Sequence, residues 1–116
     1  MPNPVVYFEV MGKDHDSLSS FFAELFGWEM NAAGPAGYHF ANPGEGITGG
    51  IGSPPPGGPS YQTFYVEVAD LQATLDTAES LGGRTVMAPR NVGENIDVAL
   101  FEDPEGHTIG LVRGSG

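Results

Sequence analysis

Residues 7–10 read Tyr7-Phe8-Glu9-Val10, and 58 positions further on the chain reads Tyr65-Val66-Glu67-Val68. Each tetrad sits inside a longer alternating run, VVYFEV from Val5 to Val10 and TFYVEV from Thr63 to Val68. Side chains alternate across a strand, so Val6, Phe8 and Val10 share one face while Val5, Tyr7 and Glu9 share the other. Both runs are predicted as strands. After the first comes Lys13 to Ser17, rich in N-cap candidates, and then Leu18, Phe21, Phe22, Leu25 and Phe26 at helical spacing, closed by Gly27. Those five apolar residues are expected to form the stripe that meets the core. After the second run, Asp70 caps a helix carrying Leu71, Leu75, Ala78 and Leu81, closed by Gly82-Gly83.

Three short strands follow each helix: Trp28 to Ala32, Tyr38 to Ala41 and Ile47 to Ile51, then Arg84 to Ala88, Asp97 to Phe101 and His107 to Arg113. The order β, α, β, β, β therefore occurs twice. A second echo supports duplication, since Thr48-x-Gly50-Ile51 returns as Thr108-x-Gly110-Leu111 at an offset of 60. Between the halves, Ser53 to Ser60 (SPPPGGPS) holds four prolines and no large apolar side chain, which suits an extended connector. The expected organisation is one α+β domain over 1–116, built from module 1 (4–52), the connector (53–60) and module 2 (61–114).

Composition bounds the partners. With 15 acidic and 4 basic residues the net charge is -11, which opposes nucleic acid and anionic lipid. The 40% hydrophobic content and 12 aromatic residues (seven Phe, four Tyr, one Trp) are enough for a packed core, while 18 glycines and 10 prolines demand many turns. There is no cysteine, so disulfides, thiolate metal sites and a cysteine nucleophile are excluded, and the compartment stays undecided on that count. The start, Met1-Pro2-Asn3-Pro4, has no signal-peptide pattern and no apolar run is long enough to span a bilayer. The expectation is a cytoplasmic protein with no membrane partner.

The paired modules, Phe21-Phe22-Ala23-Glu24-Leu25-Phe26-Gly27-Trp28, the Val68-Ala69-Asp70-Leu71 entry into the second helix, Leu81-Gly82-Gly83 at its end and Asp103-Pro104-Glu105-Gly106-His107 form a pattern over nearly the whole chain. In it the chain resembles the vicinal-oxygen-chelate superfamily, which includes glyoxalase I, bleomycin-resistance proteins and extradiol dioxygenases. The resemblance implies that each module is a curled mixed sheet with one helix, that two modules face each other around a cavity, and that homodimers are common. In metal-dependent members four His, Glu or Gln ligands come from the first and last strands of each module. Counted from Phe21-Phe22, the first position falls on Tyr7; counted through the strand, it falls on Val5. The corresponding position in module 2 is Thr63, and the glutamate positions hold Gly50 and Gly110. None is a good divalent-metal ligand, although phenolate can bind iron, so no metal and no cofactor is expected.

Two readings of function follow. The first is metal-independent binding of a small aromatic or cationic molecule, of the bleomycin-resistance type, with Tyr7, Glu9, His39, Gly50, Thr63, Tyr65, Glu67 and Gly110 as ligand-binding candidates. Tyrosines would supply aromatic walls, glutamates would attract positive charge, and glycines would let a flat ligand lie against backbone. The second is an enzyme, a lyase, isomerase or dioxygenase with a rearranged metal site from Glu9, Glu67 and His39, or a metal-free proton-transfer catalyst. A dimerising interaction module is a third. Of the other histidines, His15 is expected to be solvated and His107 to serve packing or the turn before it.

Overall fold

A computed structural model describes residues 2–32 and 34–114; Met1, Ala33, Ser115 and Gly116 lie outside the described residues. The elements run β1 (Val5–Met11), α1 (His15–Phe26), β2 (Glu29–Asn31), a 3-10 turn (Pro35–Gly37), β3 (His39–Asn42), β4 (Thr48–Gly52), β5 (Tyr61–Val68), α2 (Leu71–Ser80), β6 (Arg84–Asn91), β7 (Asp97–Glu102) and β8 (Thr108–Arg113). This is the α+β fold with βαβββ occurring twice. The chain forms two compact units, residues 7–63 and residues 64–116 with 1–6. Pro4 accordingly joins the second of these, its carbonyl accepting from the Glu67 N–H at 2.9 Å.

In the first unit the strand order is β2-β3-β4-β1, with β1 and β4 parallel and the other pairs antiparallel. Asp14 caps α1 by accepting from the Ser17 N–H at 3.1 Å, and Gly27 ends it in the left-handed region (φ 74) that favours glycine. The helix does not seat its expected stripe. Phe21, Leu25 and Phe26 remain more than half exposed, while Ser19 is buried. Five apolar residues at those spacings cover a wider arc than a short helix can press onto a narrow sheet, so only one edge of the stripe packs. The contact on that edge is aromatic: Trp28 lies 5.6 Å from Phe22, 5.0 Å from Phe26 and 5.2 Å from Phe8 between ring centroids.

The Phe8 ring needs its own clearance. A Cβ at Gly49, the register partner of Phe8, would collide with that ring, so glycine is what allows Phe8 to lie flat across β4.

The second unit orders its strands β5-β8-β7-β6, with β5 and β8 parallel. Asp70 caps α2 by accepting from the Ala73 N–H at 3.0 Å. Here the amphipathic pattern does what it predicts. Leu71 and Leu75 from the helix meet Val68, Ala99 and Leu111 from the sheet, with Val66 and Phe101 at the margin. The Asp103 to His107 segment closes β7 onto β8. Asp103 Oδ1 accepts from the backbone N–H groups of Glu105 and His107, both at 2.9 Å, and its carboxylate also meets the His107 ring. His107 is thus a turn residue.

Leu75 is fully buried. Leu75→Ala is expected to cost about 2–5 kcal/mol in urea unfolding, the usual range for a core leucine. Gly49→Ala is expected to cost about 1–3 kcal/mol by overpacking, and less in a Phe8→Ala background, where the colliding ring is gone. Equal costs in both backgrounds would assign the glycine another role.

Candidate functional site

Three side chains of the first unit form a hydrogen-bonded series. The Tyr38 hydroxyl donates to Glu9 Oε2 at 2.7 Å and lies 2.8 Å from the Tyr7 hydroxyl. A phenol has one proton, and that of Tyr38 is directed to the carboxylate. Tyr7 therefore donates to the Tyr38 oxygen. Tyr7 and Glu9 reach this group because β1 sends alternate side chains to the face opposite Phe8 and Val10. Tyr38 arrives differently, from the end of the 3-10 turn, just before β3. Its ring meets Phe40 edge-on at 5.3 Å.

Glu9 is only 8% exposed, an unusual burial for a carboxylate, and its bond from Tyr38 is one way that burial is compensated. The charge marks its surroundings. Burial pushes the Tyr7 phenol up to about 12, and the Glu9 charge adds to the rise. Burial and then the Glu9 charge drive Tyr38 far above the usual phenol range, and the same two causes raise Tyr61. Three of the four tyrosines thus stay neutral around one acidic group.

The two glycines expected to bare the sheet are covered by aromatic rings of the chain itself. A Cβ at Gly50 would collide with the Tyr38 phenol, and one at Gly52 would come within 2.7 Å of the same ring. In the second unit a Cβ at Gly110 would strike the Tyr65 ring. The room left by the missing glutamates is therefore filled from within. Register also separates residues that look equivalent. Gly50 stands opposite Glu9, whereas Gly110 stands opposite Tyr65 and Glu67 opposite Val112. Matched by their glycine partners, Glu9 corresponds to Tyr65 and Tyr7 to Thr63. The shift is one pleat period, which keeps every side chain on its face and so leaves the alternation pattern unchanged.

His39 is not part of the tyrosine–glutamate group. It pairs with Ile51, on the face shared with Val10, and its Nε2 lies 3.8 Å from Asp16 Oδ1. His15, expected in solvent, is mostly covered there too: its Nε2 is 3.7 Å from Asp16, and its Nδ1 is 2.7 Å from Ser53 Oγ. Among the described residues no group of three or more His, Cys, Asp or Glu side chains is placed to hold a metal ion. The donor set offers one carboxylate bonded to phenols, with glycines under rings where carboxylates would project. A divalent ion does not fit it.

A cleft of about 470 Å³ opens in the second unit between the start of α2 and strands β6, β7 and β8. It contains none of the expected site residues. Its Arg113 is answered by Asp97 at 2.9 Å, Asn91 bonds the same carboxylate, and Asp70 is occupied as the helix cap. Sequence reasoning missed Tyr38 and Tyr61. Alternation with Phe40 could have placed Tyr38 on the Tyr7 face, but only the turn geometry brings its hydroxyl to Glu9.

Raised phenol pKa values carry a definite sign. In the unfolded chain a tyrosine ionises near 10.0, while folded Tyr7 holds its proton to about 12. The unfolded state alone loses that proton in this window, so stability falls as pH rises through it and is unaffected below it. In Glu9→Gln, phenolate absorbance should appear at lower pH than in the wild type, because the opposing charge is gone. An unchanged titration would remove Glu9 as a cause.

The sequence matches the Glyoxalase/Bleomycin resistance protein/Dioxygenase superfamily over residues 5–111. It is 28% identical over 120 residues to a glyoxylase-like domain-containing protein of Didymella fabae, across 93% of this chain and 91% of that one. It is 25% identical over 130 residues to the anthracycline biosynthesis protein DnrV of Streptomyces peucetius, across 97% of this chain and 47% of that one. The chain spans 41% of the mycobacterial relatives that it also matches, so it is less than half the length of several curated relatives. The crystal structure of hypothetical protein BH1468 from Bacillus halodurans C-125 superposes with a TM-score of 0.74 at 9% identity, covering 100% of this chain and 97% of that one, a likeness of fold alone. The chain belongs to the Glyoxalase/Bleomycin resistance protein/Dioxygenase superfamily.

Proposed function

We propose that the protein binds a small aromatic or cationic molecule without a metal ion, in the manner of bleomycin-resistance proteins, as a sequestering or carrier protein of the cytoplasm. The observation that carries this reading is the buried Glu9 carboxylate that accepts from Tyr38, whose hydroxyl is bonded in turn to Tyr7. Neutral phenols around one negative charge favour a ligand that presents a positive group or a hydrogen-bond donor on an aromatic frame. Tyr7, Glu9 and, where the Tyr38 ring leaves it, Gly50 are its contacts in the first module; taken by itself, the second module has Thr63, Tyr65 and Gly110 at the corresponding register positions, with Glu67 one pleat period further along. DnrV is a relative named for anthracycline biosynthesis.

The enzyme with a rearranged metal site has less in its favour. It needs His39 beside Glu9, and these lie on opposite faces of the first unit's sheet. Among the described residues no helix is long and apolar enough to cross a membrane. A homodimer belongs to the same proposal, and the exposed apolar edge of α1 (Phe21 and Leu25) is the surface that a second copy would cover.

Calorimetric titration with planar cationic antibiotics and hydroxylated aromatic metabolites is expected to give dissociation constants of about micromolar order. The affinity should be unchanged by a chelator and weakened in Glu9→Gln. Absence of binding across the panel would overturn the proposal; stoichiometric divalent metal in protein purified without added metal would overturn its metal-free part. Sedimentation should show a dimer that Leu25→Glu shifts toward monomer.

A further inference from the structure

Tyr38 is held at the centre of the first unit's site but does not belong to its sheet. Its ring covers Gly50 and Gly52, two positions of β4 where a side chain would collide with it. Its hydroxyl makes two bonds of opposite sense, donating to Glu9 at 2.7 Å and lying 2.8 Å from Tyr7, whose phenol supplies the proton between them. Phe40 closes one side with an edge contact. The site thus has a flat floor of glycine backbone, an aromatic wall, one buried acceptor and one donor, shaped around a phenol.

The backbone that delivers Tyr38 is irregular. It leaves the 3-10 turn Pro35–Gly37, in which Ala36 adopts φ 54 and Gly37 φ 80. A left-handed alanine costs about 1–2 kcal/mol, so the turn holds Tyr38 against a local penalty. Among the described bonds, that turn is tied by Tyr38 N–H to the Pro35 carbonyl at 3.0 Å and Gly34 N–H to the Tyr38 carbonyl at 3.1 Å. Neither bond involves the ring, so the phenol can rotate out by its own side-chain torsions while the turn stays in place.

We propose that the Tyr38 ring occupies the position of the ligand, and that the site takes a neutral hydroxyaromatic molecule whose ring replaces it on Gly50 and Gly52. This rests on the binding reading above and narrows it. The incoming hydroxyl donates to Glu9 and accepts from Tyr7, reproducing both bonds that Tyr38 gives up. A phenolate is rejected because it has no proton for Glu9 and carries the same charge. An aromatic ammonium satisfies Glu9 but offers no lone pair to Tyr7, so it reproduces only one of the two bonds that Tyr38 makes. Displacement therefore exchanges one phenol for another and selects for a hydroxyl that both gives and accepts.

The test is rescue of a cavity by the missing side chain. In Tyr38→Ala, p-cresol, the tyrosine side chain as a free molecule, is expected to bind saturably and raise the melting temperature. Toluene, which lacks the hydroxyl, should bind about tenfold more weakly or worse, the loss expected for a hydrogen bond to a charged group. Adding Glu9→Gln should reduce the preference of p-cresol over toluene. Tyr38→Phe, which keeps the ring and loses the competing hydroxyl, should bind p-cresol more tightly than the wild type does, and it carries the test if Tyr38→Ala fails to fold. Equal binding of p-cresol and toluene would overturn hydroxyl selection. If the wild type binds planar cations while neither Tyr38 variant gains affinity for p-cresol, the replacement of Tyr38 is overturned and the broader binding function stands. If the wild type and both variants bind nothing, both fail.

Discussion

Three glycines of one strand lie beneath two aromatic rings, and this close approach organises the first half of the molecule. Gly49 admits Phe8 on one face of β4; Gly50 and Gly52 admit Tyr38 on the other. A side chain at any of the three would displace a ring. On the first face, loss of Phe8 would undo the cluster through which Trp28 and Phe22 hold α1. On the second, loss of Tyr38 would leave Glu9 without the bond that compensates part of its burial. Packing on one side and electrostatics on the other thus share a single constraint, the absence of Cβ atoms from consecutive turns of the pleat.

The same constraint bears on the positions where metal-dependent members of the superfamily are expected to carry ligands. The positions where the resemblance implies glutamates hold Gly50 and Gly110, and the vacated volume is taken by Tyr38 and Tyr65 respectively. The two modules solved the problem with tyrosines of different origin, one from a turn and one from the neighbouring strand. The duplication is therefore intact in topology and divergent in the site. Among the described residues, the first module alone combines its ring with a deeply buried carboxylate, Glu9.

Much of the fold was legible because its signals are local. Asp14 and Asp70 each cap the helix predicted after them, Gly27 ends the first in the left-handed region, and the alternating runs around Tyr7 and Tyr65 are strands. These depend on the chemistry of a few neighbouring residues. The α1 stripe failed because periodicity names an apolar arc without saying how much of it the facing sheet can cover, and Phe21 and Leu25 were left outside. The site was half legible: Tyr7 and Glu9 follow from alternation, whereas the hydroxyl of Tyr38 reaches Glu9 across 29 residues. His39 lies on the opposite face of the strand, as alternation predicts, and its neighbours Asp16 and His15 come from a helix that the strand pattern does not describe.

The sequence by itself determined the element order, its duplication and the helix caps, because each is written in residue type and short spacing; the resemblance then implied that tyrosine or valine, threonine and two glycines stand at the ligand positions of metal-dependent members. Tertiary structure alone decided what fills the space those replacements open, and which residues of the two modules correspond. A pleat repeats every two residues, so a shift of two positions leaves each side chain on its face and only the hydrogen-bonded register distinguishes Glu9 opposite Gly50 from Tyr65 opposite Gly110. A glycine likewise states that a side chain is missing, while the identity of the ring above it depends on where a distant turn delivers that ring.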